Sequence, residues 1–273
     1  MNSPAGLRLA VVTGASAGIG QELARAIAMG GRPVLAVARR RERLLELSTE
    51  AAEKSWAPIH VLALDLAEKG AAALVLARAL DLGGAEWLVN NAGVGGYGRV
   101  SEADPEKLAA MIRLNCESLV LLTRTFLPRL IEDGGFVLNV ASVAAFQPLP
   151  FHAVYGATKS FVLSFTEGLA EELRGSRAGA GAFCPGPVTT EFQEVAGLKG
   201  RGFSLPALTA QAAARLALLQ LRRREVIRLT GLADRLATGA ARMLPRGLVR
   251  RAAARVNRPG SAGRADREKG GAR

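Results

Sequence analysis

Apolar residues fall along this chain in two alternating patterns. Short, largely apolar runs occupy residues 7–13, 34–38, 59–64, 87–89 and 135–140. Runs of that length read as strands covered on both faces. Between them lie stretches in which apolar positions recur every three or four residues: 20–29, 39–53, 71–82, 105–127, 151–174 and 210–221. That period predicts amphipathic helices. A sixth strand is expected over 178–183 from its place in the alternation alone, because Ala-Gly-Ala-Gly-Ala has low strand propensity. Alternating strands and helices predict a doubly wound α/β domain, with a parallel sheet of about seven strands flanked by helices on both faces.

Composition narrows the class. The chain has 273 residues, 49% of them hydrophobic, which is enough for a substantial core and excludes wholesale disorder. Cys116 and Cys184 are the only cysteines and histidine occurs twice, so neither a disulfide framework nor a metal cluster is expected; both thiols read as buried and reduced. The N-terminus enters an apolar strand at once, without the hydrophobic region of a secretory signal. No apolar stretch reaches the ~20 residues of a spanning helix. A cytoplasmic location is the expectation.

Net charge is +12, and it is unevenly placed. Residues 222–273 hold 15 Lys or Arg against 4 Asp or Glu, which leaves 21 against 20 in the first 221. The basicity belongs to the C-terminal end. Residues 1–221 therefore read as the main domain, 222–257 as a basic helical extension and 258–273 as a disordered tail. In the extension, Leu232, Leu236, Met243, Leu248, Val249, Ala252, Ala253 and Val256 recur near helical spacing among Arg235, Arg242, Arg246, Arg250, Arg251 and Arg255. Such stripes fit docking on the main domain or a neighbouring subunit, or peripheral contact with an anionic membrane. Nucleic acid is not an expected partner, since the tail lacks an aromatic-studded platform.

Candidate chemistry begins at the turn after the first strand. Gly14, Gly18 and Gly20 lie between a strand and a helix, where glycines let the backbone approach a pyrophosphate at the helix N-terminus. The end of the second strand, which should meet the adenosine ribose, has Ala38 followed by Arg39, Arg40 and Arg41 instead of an acid. Guanidinium groups there favour a 2′-phosphate, hence NADP(H), through Arg39 and Arg40. Asp65 after the third strand is placed for the adenine edge, and Asn90 after the fourth for the cofactor's path.

Tyr155 and Lys159 lie one turn apart on the helix over 151–174, with Ser142 thirteen positions before the tyrosine and Asn115 twenty-seven before the serine. A lysine at i+4 shares the helix face, and its charge favours the phenolate, which lowers a pKa of about 10. Ser142 then holds a substrate oxygen, and Asn115 holds the lysine through a water. Phe146, Leu149, Phe151 and His152 lie between serine and tyrosine, where they could form a pocket wall, although His152 reads better as a plain loop histidine. Residues 191–206, glycine-spotted and apolar, suit a lid over a hydrophobic substrate.

Together the TGASAGIG loop at 13–20, Asp65-Leu66, the NNAG at 90–93, Asn115, Ser142, Tyr155-x-x-x-Lys159 and Pro185-Gly186 resemble the short-chain dehydrogenase/reductase family. Residues around 149–159 and 184–192 look most similar to its DltE-type and hydroxysteroid-type bacterial branch. The resemblance implies one Rossmann-type domain, usually a homodimer or homotetramer, and reversible hydride transfer between a nicotinamide cofactor and a small alcohol or carbonyl substrate. It implies that Gly14, Ser16, Gly18, Ile19, Gly20, Asp65, Leu66 and Asn90 bind cofactor, with Val188 and Thr190 near the nicotinamide amide. Tyr155 becomes the acid/base, Ser142 the substrate-orienting hydroxyl, Lys159 the ribose ligand, and Asn115 a support of the proton relay. A second reading is a non-catalytic NADP-binding module that regulates a partner or membrane attachment. The complete Asn-Ser-Tyr-Lys set argues for the enzyme.

Overall fold

The computed structural model describes residues 8–192 and 207–258. Nine strands run through them: β1 Leu9–Thr13, β2 Val34–Ala38, β3 Ile59–Ala63, β4 Ala85–Asn90, β5 Phe136–Val140, β6 Gly179–Cys184, β7 Val188–Thr189, β8 Leu208–Thr209 and β9 Ile227–Leu229. Seven form one parallel sheet in the order β3-β2-β1-β4-β5-β6-β9, and β7 pairs with β8 beside it. The order reverses between β1 and β4, so a crevice opens at their C-terminal ends, where such sheets bind ligands.

Helices cover both faces. On one lie α1 Gly18–Met29, α2 Arg41–Glu53 and α7 Ala210–Arg223, packed on Val12, Val34, Ala36, Val89 and Leu138. On the other lie α3 Ala71–Asp81, α5 Ser118–Asp133 and α6 Ala153–Glu172, packed on Val11, Leu35, Leu88 and Val137. Adjacent strand residues thus enter opposite cores, which is why these strands are largely apolar.

One segment departs from its sequence reading. The helix expected over 105–127 is three pieces: α4 Pro105–Ile112, a π-helical turn at Arg113–Glu117, and α5. β6 does form, and its small residues have a steric reason. A Cβ on Gly181 would lie 2.4 Å from the Glu225 carbonyl oxygen and 3.0 Å from Cζ of Phe136.

The extension is part of the same unit. β9 lies beyond residue 221 and completes the seven-strand sheet beside β6, so the boundary expected at 221 falls inside the packed domain. Helices α8 Leu232–Met243 and α9 Arg246–Asn257 follow. Buried Asp234 accepts from Thr230 Oγ1 at 2.5 Å, and Thr230 accepts from Gly186 N at 2.9 Å. Arg242 lies 4.9 Å over the Phe146 ring, which takes Phe146 out of the wall expected for it. The proposed lid falls mostly on 193–206, and the proposed disordered tail on 259–273, both outside the described residues.

Candidate active site

Thr13 ties β1 to β4. Its hydroxyl donates to the Val89 carbonyl at 3.1 Å and accepts from the Asn91 and Ala92 amides at 2.9 and 3.0 Å. The Asn91 amide donates to the carbonyls of Thr13 and Gly14 at 2.9 and 3.3 Å. Gly14 and Gly18 have φ of +66° and +57°, which favours glycine. A Cβ on Gly20 would lie 2.5 Å from the Gly14 oxygen, so helix α1 could not seat against the loop with any other residue there. The first turn of α1 has no side-chain cap, which leaves its N–H groups facing the crevice as an anion site.

The crevice holds a cavity of about 600 Å³. Gly14, Ser16, Gly18, Ile19, Arg39, Arg40, Asp65, Leu66, Val188 and Thr190 line it, as do Ser142, Tyr155 and Lys159. Three expected residues do not. Gly20 works through packing. Asn90 turns its amide into the core, donating to Thr123 Oγ1 at 3.0 Å and Asn139 Oδ1 at 2.8 Å, and its neighbour Asn91 faces the cavity instead. Asn115 is buried behind the wall.

At the basic end Arg40 Nε donates to Ser16 Oγ at 3.2 Å, and its Nη1 donates to Glu191 Oε2 at 2.8 Å. Arg43 stands 3.7 Å from the same carboxylate. Hydrogen bonding from Arg40 holds the Glu191 carboxyl below its ordinary range. Arg39 is exposed, 3.6 Å from Asp65.

At the other end Ser142 leaves β5 and caps the short turn Val143–Phe146, accepting from Ala144 N at 3.1 Å. Its hydroxyl donates to the Pro185 carbonyl at 3.5 Å and shares the cavity wall with the Tyr155 phenol. Lys159 Nζ donates to the Val140 carbonyl at 2.8 Å and lies 5.9 Å from the tyrosine ring centre. Asn115 reaches this group through the π-helical turn. It accepts from Val94 N and donates to Val94 O, both at 2.9 Å, and donates to Thr158 Oγ1 at 3.0 Å. Thr158 donates in turn to the Tyr155 carbonyl at 2.8 Å. Asn115 thus fixes the loop after β4 against the helix that carries Tyr155. A Cβ on Gly93 would stand 3.1 Å from Asn115 Oδ1 and 3.6 Å from Lys159 Nζ, so glycine keeps the space between them open.

Electrostatics corrects one expectation. Burial pushes the Tyr155 phenol up to about 12, only partly offset by the Ser142 hydroxyl, and pushes Lys159 down to about 8. Desolvation, and not the lysine charge, sets the phenol, and the Lys159 ammonium is held by the Val140 carbonyl. Burial also raises both thiols, Cys184 to about 12. The glycine cradle, the uncapped helix end and the cationic rim all fit a phosphate-bearing dinucleotide.

The model of the family described as short chain dehydrogenase matches residues 8–199. The chain belongs to that family. Its members are oxidoreductases that use a nicotinamide cofactor on alcohols and carbonyls. Among curated relatives, a short chain dehydrogenase of Pseudocercospora fijiensis is 36% identical over 190 residues, covering 68% of this chain and 61% of its own length. The NADP-dependent 3-hydroxy acid dehydrogenase YdfG of Escherichia coli K12 is 36% identical over 195 residues, 68% of this chain and 75% of its own. Among solved structures, a short-chain dehydrogenase from Sphingobium yanoikuyae in complex with NADPH superposes with a TM-score of 0.78 at 32% identity, over 89% of this chain and 95% of that one.

Several cavity residues escaped the sequence reading. Phe192 stands with its ring centre 5.6 Å from that of Tyr155, and Gln147 and Asn257 join Leu149 and His152 on the substrate side. Tyr97 Oη donates to the Asn257 carbonyl at 2.9 Å, bringing the end of α9 to the cavity. His152 Nδ1 lies 2.9 Å from the Gly96 carbonyl, so it is a wall residue as well as a loop residue. Phe151, with φ of +66°, does not line the cavity.

Proposed function

We propose that this short-chain dehydrogenase is an NADP(H)-dependent oxidoreductase that interconverts hydrophobic alcohols and carbonyl compounds, with Tyr155 as acid and base. The observation that carries this reading is that Ser142, Tyr155 and the buried Lys159 line one end of a cavity whose other end is cationic. When bound, NADP(H) supplies or accepts the hydride. In reduction Ser142 holds the substrate oxygen while the Tyr155 phenol protonates it, and in oxidation the same oxygen takes the proton back. Lys159 serves the nicotinamide ribose, and Asn115 positions the helix turn that carries both. Ser16, Arg39 and Arg40 are the groups for the 2′-phosphate, Gly14, Gly18 and Ile19 for the pyrophosphate, Asp65 and Leu66 for the adenine, and Val188 and Thr190 for the nicotinamide amide.

The hydrophobic substrate class is supported by Val94, Leu149 and Phe192 around the phenol. Assembly as a homodimer or homotetramer is supported by Ile112, Leu121 and Phe161, which stay exposed on α4, α5 and α6. The test is NADPH consumption with a panel of apolar aldehydes and ketones. A Tyr155→Phe variant should lose about 10²–10⁴-fold in kcat. Wild-type turnover by that variant, or tighter binding of NADH than NADPH, would sink the reading.

A further inference from the structure

Helices α8 and α9 are fastened by their inner faces. Asp234, Thr238, Val249 and Ala253 are buried, and Arg242 pairs with Glu167 at 3.9 Å while covering Phe146. Their outer faces hold large apolar side chains in water: Leu232 is 73% exposed, Leu236 67%, Met243 89% and Leu248 55%. Leu232, Leu236 and Met243 share one stripe of α8 at helical spacing. Around them Arg235, Arg246, Arg250, Arg251 and Arg255 are exposed as well. The only acid between residues 232 and 258 is Asp234, which is buried. The outer surface therefore combines hydrophobic side chains with cations and has no countercharge of its own.

That combination selects its partner. A second copy of this face, brought up by two-fold symmetry, would set arginine against arginine with no acid between them. A nucleic acid would satisfy the cations and leave four apolar side chains against phosphates, and 232–258 contain no aromatic residue for base stacking. An anionic bilayer satisfies both sets, with acyl chains for leucine and methionine and headgroup phosphates for arginine.

The same helices lead inward. A groove of about 310 Å³ runs between them, lined by Ala240, Ala241, Leu244, Val249 and Ala253, and it shares Gln147, Leu149 and Asn257 with the catalytic cavity. We propose that α8 and α9 dock this protein on an anionic lipid surface, and that the groove admits an aliphatic alcohol or carbonyl compound from the lipid to Tyr155. The docking stands by itself, whereas the groove's role rests on the oxidoreductase reading.

Flotation of the full-length protein with vesicles of phosphatidylcholine, with and without phosphatidylglycerol, tests the docking. The anionic vesicles should bind at least about tenfold more protein, and high salt should release it. Leu236→Asp with Met243→Asp should cut that binding about tenfold while leaving turnover of a short water-soluble aldehyde unchanged. Equal binding to neutral vesicles, or undiminished binding by the double variant, overturns the docking. So does a fall in molecular mass in the double variant, because the face would then be a subunit contact. For the groove, Ala240→Trp should lower kcat/KM for a long-chain aldehyde about tenfold relative to a short one. An unchanged ratio overturns the groove route. Absence of turnover with every aldehyde overturns the oxidoreductase reading and leaves the vesicle result intact.

Discussion

At the scale of single residues the site is governed by desolvation. With Tyr155 held near 12, the phenol keeps its proton at neutral pH, the form that reduction needs. Carbonyl reduction should therefore vary little between about pH 5 and 7, since the donor stays protonated and Lys159, pushed down to about 8, stays charged throughout. Alcohol oxidation needs the phenolate, whose fraction grows about tenfold per pH unit below the pKa, so kcat/KM should climb steeply over the same range. Paired pH profiles in the two directions check the sign, and parallel profiles would exclude Tyr155 as the proton carrier. Glu191 gives a second prediction. It occupies Arg40, the group proposed for the 2′-phosphate, so cofactor phosphate and carboxylate compete for one guanidinium. The pair is half exposed and correspondingly weak, so Glu191→Gln should tighten NADPH by about two- to fivefold and leave NADH unchanged. Calorimetric titration with both cofactors measures it, and an equal shift for NADH would refute the competition. Gly14, Gly18, Ser142, Tyr155 and Lys159 were legible because each is set by a local turn or a helix period. Glu191 was not, because its partner is 151 positions away, and Asn257 meets Tyr97 across 160.

At the scale of elements, hydrophobic pattern decided type and packing decided detail. The strands β1, β2, β4 and β5 were legible because a doubly covered strand is apolar at most positions, and their polar exceptions, Thr13, Glu86, Asn90 and Asn139, are all paired. The π-helical turn at Arg113–Glu117 was not, because the apolar period runs on through it; the turn carries Asn115, which bonds Val94 and Thr158. β6 shows the opposite case, a strand whose sequence opposes its structure. Gly181→Val raises strand propensity, and on a local scale that change is favourable by up to ~1 kcal/mol. The new Cβ, however, would meet the backbone carbonyl of Glu225 at 2.4 Å and the Phe136 ring at 3.0 Å, and neither is the end of a flexible chain. Overpacking of about 1–3 kcal/mol should win. Thermal unfolding should show a midpoint several degrees lower, at about 2–4 °C per kcal/mol for a chain of this size. An unchanged or raised midpoint would mean that β6 tolerates bulk and that its glycines have another cause.

At the scale of the whole molecule, the C-terminal segment is the part whose sequence was least explicit. Charge marked residue 221 as a boundary, since arginines follow it at once. The seventh strand is three residues long and carries Arg228, which hides its apolar character until Glu225 is seen pairing with that arginine at 2.6 Å. A chain ended at 221 would expose the edge of β6. It would lose the bond from Ala182 N to Val226 O at 2.7 Å, the bond from Gln220 Nε2 to Glu225 O at 2.9 Å, and the Thr230 acceptor of Gly186 N. Gln220 Nε2 keeps the Ala182 carbonyl at 3.1 Å, but the buried Ala182 amide left unpaired costs about 1–3 kcal/mol. The loss of Ile227 and Leu229 also uncovers Ala182 and Cys184, and together these costs rival a large share of the roughly 5–15 kcal/mol that holds a domain together. The truncated protein should therefore fail to unfold cooperatively. A chain ended at 231 keeps β9 and Thr230 and should unfold cooperatively, at a lower midpoint than the full chain, because Asp234 no longer holds the loop after β6 and Phe146 is uncovered. Circular dichroism melts of the three lengths rank them. A 1–221 chain that melts like the full one would mean that the sheet is complete at six strands and that β9 is an attachment to it.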